Sequence, residues 1–439
     1  MRKMISSPSE MSLSEVENQI YQKALSLFPD VLLNLMAVKV NDYPKDFTTW
    51  CAQLNQICSQ EINFDLLEDN QLPILKKLEG ILQAGVSVSQ LKMLRVSPWP
   101  IFSGFILQNA TVQALQERIA LLDYISNLKD KPLAQLIEED KLAFAGKHSS
   151  LHDIGIYKFD VEWFASTKGA KIFHQLLQDC PQDFDEALAY IPLSGEVSKG
   201  DYQKFVKAYS AIFTRYEEGT QAPLMPATRL LAMRRPDQFI ALTNNKVDVI
   251  CQGFNIVKLN NRSFNDYWED LILTLRVMPW WNAKEPLLSQ NKPEVEVINK
   301  ETGSSLNEPI SEESSEPEQQ EVTTDISDNK LWQYRAALVD VFLFANEETA
   351  LKSNYQRLLH KSEQKAKNST RTVVRKALSS SGATRREYTK ESAESLVDKA
   401  LANEELPAYL KDKRESILKA VKEGKSVDHV IKMMRAIFG

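Results

Sequence analysis

The chain has 439 residues, 43% hydrophobic and 26% charged, with a net charge of −6. That is long enough for two or three domains and ordinary for a globular protein, while the acidic total keeps the whole molecule from reading as a polyanion binder. Only 14 glycines argues against Gly-rich and glycine-hinged dinucleotide folds, and four cysteines without a CxxC pair fit a reduced, cytoplasmic compartment.

In chain order the first 145 residues read as successive helices. Ser12-Leu13-Ser14-Glu15 is a capping-box start, followed by Val16, Ile20, Ala24 and Leu27 on one face, with Pro29 as the stop. A second helix is expected from about Phe47 to Cys58. A third has Pro73 in its first turn and Gly85 at its end, and a fourth covers Val112 to Leu128. Ile156 to Val161 alternates apolar and polar residues and reads as a short strand. The helical pattern then resumes: Ser198 caps a helix carrying Tyr202, Phe205 and Tyr209. Pro226 opens a short helix over Ala227 to Arg235 that Pro236 closes. Ser263 or Asn265 caps a helix that runs out at Pro279-Trp280-Trp281. Met1 to Glu10 is polar with no apolar stretch behind it, and no run approaches 18 apolar residues. Neither a secretion signal nor a membrane span is therefore expected.

Two charge reversals mark the second half. Between Gln290 and Lys330 eleven acidic residues face three basic ones, without an aromatic residue. Such a tract cannot bury enough apolar surface to offset its ordering entropy, and reads as a disordered insertion. Leu331 to Phe344 is too apolar to stand alone and is expected to return as a helix against the body near Trp280 and Trp281. Residues 352–390 hold eleven Lys/Arg and two acidic residues. The expected class is therefore mainly α, or α+β if a few short strands form. Residues 1–289 plus 331–351 form a helical main body and 290–330 the acidic insertion. Residues 352–390 form a basic flexible arm, and 391–439 a three-helix C-terminal module.

Chemistry-bearing patterns are sparse. His148 and His152 have i, i+4 spacing, but the flanking Gly146-Lys147 and Ser149-Ser150 suggest solvated loop histidines, and no metal site or cofactor is expected. Gly146-Lys147 lacks the earlier glycine that a phosphate loop needs. For a metal-dependent nuclease, Asp160 and Glu162 on the possible strand are the best carboxylate pair, with Lys158 and Lys168 nearby. Glu139-Asp140-Lys141 and Pro29-Asp30 match parts of such a motif in helical contexts. A solvated strand end explains the pair more simply.

The tract ATRLLAMRRPDQF at 227–239 differs in kind. Arg229, Arg234 and Arg235 lie on a short proline-bounded helix, where guanidinium forks can hold a phosphate or carboxylate, or form internal ion pairs with Asp237, Asp266 or Glu269. At about 100° per residue, Arg229 and Arg234 are about 140° apart, so at least one is expected to point inward. In the arm, Arg371, Arg375, Lys376, Arg385 and Arg386 are the candidate contacts to a polyanion through counterion release.

Ile191-Pro192-Leu193-Ser194-Gly195, the 227–239 tract, Tyr267-Trp268-Glu269, Trp280-Trp281-Asn282 and Trp332-Gln333-Tyr334-Arg335-Ala336-Ala337 form a succession. Over about residues 190–345 it resembles that of helical proteins from bacterial restriction and phage-defence loci. That group carries no established catalytic residue, so no residue role transfers. The resemblance implies a bacterial defence setting, and a single domain holding Trp281 and 331–344. The leading expectation is a non-catalytic, nucleic-acid-associated or complex-forming component of a defence or mobile-element system. It would contact DNA or RNA through the arm and take a protein partner. The alternatives are a metal-dependent nuclease or phosphodiesterase and a protein–protein adaptor.

Overall fold

The computed structural model describes residues 4, 11–40, 44–286, 326–364, 397–398, 400–402, 413–422, 427 and 430–431. Among these the regular structure is helical and no residue lies in a strand. The chain divides into two units, Met1–Gln364 and Lys365–Gly439. Most of the acidic tract (290–325), and the arm residues Arg371, Arg375, Lys376, Arg385 and Arg386, lie outside the described residues.

Four helices open the first unit around a core of their own. In α1 (Glu15–Leu25) the Glu17 carboxylate reaches back to accept from the Ser14 N–H at 2.8 Å, satisfying a donor that the helix leaves free. Pro29 does not stop a helix as expected. It sits in the first turn of α2 (Phe28–Ala37), where its missing N–H has no bond to lose. α3 (Phe47–Gln56) is capped by Asp46, which accepts from the Thr49 N–H, and it ends in a π-turn at Ile57–Glu61. α4 (Gln71–Leu94) runs 24 residues, straight through the glycine expected to end it. A Cβ on Gly85 would lie 2.5 Å from Cys51 Sγ, so this glycine is there to let α3 close on α4. Ile20, Phe28, Val31, Trp50, Leu54 and Leu82 pack the first core, and the Trp50 indole N–H donates to the Met4 carbonyl at 2.9 Å.

α4 then enters a larger core through Leu91 and Leu94. That core is built by α5 (Trp99–Gln108), α6 (Leu115–Leu128), α7 (Glu138–Ala145), α8 (Lys171–Asp179), α9 (Pro181–Ala189), α10 (Lys199–Tyr216), α11 (Leu224–Arg234) and α12 (Asn244–Phe254). A segmented helix, α13, follows as Phe264–Asp266, a π-turn Tyr267–Ile272 and Leu273–Arg276. α6 starts three residues later than the pattern suggested, after Ala114 in the left-handed region. α12 crosses α4 at Gly253, where an added Cβ would meet the Leu91 side chain at 2.4 Å.

The expected strand over 156–161 is absent. Its alternation is real, since Tyr157, Phe159 and Val161 are buried and Ile156 and Lys158 exposed. No neighbouring segment pairs with it, so the period-2 pattern belongs to a covering loop.

Residues 331–344 return to the body as expected, but not as one helix. α14 (Asp328–Gln333) stops at Tyr334, the Ala337 N–H turns to the Pro236 carbonyl at 2.8 Å, and Ala337–Phe342 forms a 3-10 turn buried on all sides. Phe102 is sandwiched between Trp280 (centroids 4.6 Å) and Phe342 (5.4 Å).

Asp340 is the only charged residue of that turn. Arg118 of α6 donates to its Oδ2 at 2.5 Å, and Lys246 of α12 to its Oδ1. Burial pushes the Asp340 pKa up, but Lys246 and Arg118 together outweigh it, and the net value lies below the ordinary one. Arg118 also stacks over Trp163 at 4.3 Å and donates from Nε to the Gln113 carbonyl. After α15 (Glu347–Leu351) a helix over 354–364 closes the unit, so residues 352–364, expected in the arm, belong to the body.

In the second unit Val397, Leu401, Ile417 and Val430 are buried together, and Arg414 on α17 (Arg414–Lys422, the helix over 354–364 being α16) forks onto Asp398 at 2.7 and 2.9 Å.

Two outcomes follow from this packing. Gly253→Ala should destabilise the protein by about 1–3 kcal/mol in urea titrations, because the added methyl overpacks the α4–α12 crossing. Asp340→Asn should cost about 3–5 kcal/mol near neutrality by leaving Arg118 and Lys246 without a counter-charge. Because the folded pKa of Asp340 is depressed, its contribution is full above its unfolded value, about 4. It is lost as pH falls through the folded value, so parent and variant should converge in stability in strong acid.

Candidate anion-binding pocket

The three arginines of α11 have three different environments. Arg229 is fully buried and faces no carboxylate directly. Its Nε donates to the Phe144 carbonyl, Nη1 to Trp163, and Nη2 to Ala143 and Val161 at 3.0 Å each. Burial pulls its pKa down to about 9, against the pull of Asp160, Asp340 and Glu162, so it remains charged at neutral pH. The inward arginine held by a carboxylate is Arg235, on Asp237, and Arg229 is held differently. Four backbone carbonyls hold it, and with no exposed surface it cannot reach a ligand.

Those carbonyls explain the loop opposite. Trp163 and Val161 turn theirs toward Arg229, and Phe164, at a φ of 73°, offers its own to Lys246. A left-handed phenylalanine is uncommon and persists only where its surroundings determine it. Asp160 and Glu162 form part of the same construction. Asp160 accepts from the Asn354 N–H at 2.6 Å, the Asn354 side-chain amide at 3.1 Å and the Glu162 N–H at 2.9 Å. Glu162 accepts from the His148 N–H at 3.2 Å. Beside them Glu117 accepts from the Asp160 N–H, the Trp163 indole, Ser353 and Gln356. The carboxylates thus seat the first turn of α16 against the 160–163 loop.

The other sequence candidates are also engaged. Asp140 accepts from the hydroxyls of Tyr124 at 2.5 Å and Tyr157 at 2.8 Å. His152 accepts at Nδ1 from the Ser149 N–H, which leaves Nε2 to donate to the Glu139 carbonyl at 2.9 Å, and burial lowers its pKa. Among the described residues no group of three His, Cys, Asp or Glu side chains is arranged to hold a metal.

Arg234 and Arg235 line a cavity of ≈ 250 Å³. Its walls are Ser126 and Lys129 at the end of α6, the loop 193–195, the end of α11 with Pro236 and Asp237, Glu285, and the turn 332–335. Arg235 is fixed by Asp237 through two bonds of 2.8 Å and by the carbonyls of Pro192 and Gly195. Arg234 donates from Nη1 to the Lys129 carbonyl at 2.6 Å, and its buried Nε has no partner. Arg335, only 9% exposed, donates from Nη1 to the Trp332 carbonyl, and its Nε is likewise unpartnered. Its guanidinium lies 4.2 Å from the Trp332 ring centroid and 5.2 Å from that of Trp281.

Among the described residues neither Arg234 nor Arg335 has a carboxylate within ion-pair distance. Burial lowers the pKa of both, with Asp130 and Asp185 opposing at Arg234 and Asp237 and Glu285 at Arg335. A half-buried and a buried guanidinium without carboxylate partners line one recess, a site that an anion would complete. Arg335 escaped the sequence reading, although an arginine and an aspartate inside the apolar run 331–344 were the available signal. The same signal would have found Asp340.

Comparison with family models, curated proteins and solved structures finds no match to this chain.

Arg229→Met should lose at least about 4 kcal/mol of stability, since four buried carbonyls lose their donor at roughly 1–3 kcal/mol each. Arg234→Gln, at the edge of the recess, should lose less than half as much. Urea titration of the two variants beside the parent checks the order; similar losses would mean that water replaces the Arg229 donors.

Proposed function

We propose that this protein is a non-catalytic, nucleic-acid-associated component of a bacterial defence or mobile-element system, working in the cytoplasm with a protein partner. The observation that carries the reading is the recess lined by Arg234 and Arg335, whose guanidiniums lack carboxylate partners among the described residues. Phosphate and carboxylate both match a guanidinium fork, and internal ion pairing with a carboxylate, the usual role of buried arginine, does not account for these two. The basic tract 352–390 supports the same partner by charge, and the succession over 190–345 supports the setting through its resemblance to defence-locus proteins. No helix among the described residues is long and apolar enough to cross a membrane.

The nuclease reading built on Asp160 and Glu162 is less favoured for a specific reason. Asp160 already accepts three hydrogen bonds and is buried, so a metal would have to displace the anchor of α16.

Electrophoretic shifts on duplex DNA over a salt series test the proposal. Neutralising about six phosphates gives a log–log slope of about −5. Replacing Arg371, Arg375, Lys376, Arg385 and Arg386 with Gln should flatten the slope by up to about 4.5, roughly 0.9 for each phosphate no longer neutralised. An unchanged slope would remove the arm from the interface, and no shift at low salt would sink the reading.

A further inference from the structure

We infer that the Arg234–Arg335 recess is selective for a phosphomonoester dianion, such as the 5′ end of a nucleic-acid strand, over an internal phosphodiester. This deepens the nucleic-acid reading above and rests on it for the strand, though not for the phosphate.

Charge is the first reason. Four cationic residues line the recess (Lys129, Arg234, Arg235, Arg335) and two acidic ones (Asp237, Glu285), a lining charge of +4 − 2 = +2. Asp237 is engaged by Arg235, so the excess resides on Arg234, Arg335 and Lys129. A phosphomonoester carries about −1.5 to −2 at neutral pH, because its second pKa is about 6, whereas a diester carries only one charge.

Shape is the second reason. A space of ≈ 250 Å³ is smaller than the roughly 300–1,000 Å³ that encloses a drug-sized ligand. It has room for a phosphate group. The aromatic rings at the wall are already used: Arg335 lies over Trp332, Trp99 meets Trp332 edge-on at 4.9 Å, and the Tyr334 hydroxyl donates to Asp123 at 2.5 Å. With Trp332 engaged by Arg335 and Trp99 and Tyr334 buried, recognition rests on the phosphate.

The donors are also held in place. The Lys129 carbonyl fixes Arg234, the Trp332 carbonyl and indole fix Arg335, and the Lys330 ammonium at 2.7 Å from Asp123 pins α14 to α6. A guanidinium so fixed loses little freedom when an anion arrives.

The test uses the full chain and single-stranded oligonucleotides identical except for a 5′-phosphate or 5′-hydroxyl, followed by fluorescence anisotropy. The phosphorylated strand should bind about tenfold or more tightly at pH 8, as expected for added charge-assisted hydrogen bonds. That preference should fall away as pH drops below about 6, where the monoester loses its second charge. Arg335→Gln should abolish the preference. Lys129→Ala, which keeps the carbonyl that holds Arg234 and removes no buried group, should reduce it even if Arg335→Gln folds poorly.

Titration with inorganic phosphate should raise the melting temperature of the parent and not of Arg335→Gln. A nucleoside 5′-monophosphate competing as well as the phosphorylated strand would assign the dianion to a free nucleotide; weaker competition would assign it to the strand end. Equal affinity for the two strands, or a preference that does not change between pH 8 and pH 5, would overturn the inference. Phosphate binding without binding of either strand would leave the recess a dianion site and defeat the nucleic-acid reading instead.

Discussion

A single buried carboxylate, Asp340, determines how the main body closes. It draws Arg118 from α6 and Lys246 from α12 to one point, and both cations then reach further. Arg118 covers Trp163, and Lys246 takes the Phe164 carbonyl. An ion cluster of this kind is a weak source of net stability, since desolvation offsets much of the attraction. Its effect is on geometry: a charge on the 331–344 segment has one place where it is neutralised, so the segment has one register in which it can dock.

Arg229 does the corresponding work one layer away. Four carbonyls from residues 143, 144, 161 and 163 converge on its guanidinium. A loop without strand pairing needs its buried carbonyls satisfied by something, and here a side chain replaces the missing ladder. That substitution accounts for the alternation over 156–161 without a strand. It also accounts for Asp160 and Glu162, whose carboxylates complete the reverse side of the loop by accepting from Asn354 and His148.

Helix positions were legible because they rest on local rules. Ser198 caps α10 as the sequence says, with the Asp201 N–H donating to its hydroxyl at 3.1 Å, and Ser263 caps α13 in the same way. The misreadings came where tertiary packing overrides those rules. Gly85 looks like a stop but is a contact point for Cys51, and Pro29 looks like a stop but opens the next helix. The arginine tract was visible as unusual, and the helical angle between Arg229 and Arg234 correctly required different fates. Which arginine would keep free donors could not be read. That depends on Trp332 and Arg335, about a hundred residues further along, and on where Lys129 ends α6. The basic residues 371–386 lie outside the described structure, and their reading rests on charge alone.

The recess and the ion cluster are therefore not independent. One wall of the recess, Trp332 to Arg335, lies five to eight residues before Asp340 in a segment whose register Asp340 sets. The opposite wall hangs on α11, whose middle is anchored by Arg229 in the carbonyl cage. Between them the Ala337 N–H to Pro236 carbonyl bond joins the two walls directly. Guanidiniums left without carboxylates are costly to bury, and local propensity alone would not hold two of them on one recess. They are held because larger interactions on both sides, the Asp340 cluster and the Arg229 cage, have already fixed the backbone that carries them. The cost of assembling a cationic recess is thus met within the fold, before any anion arrives.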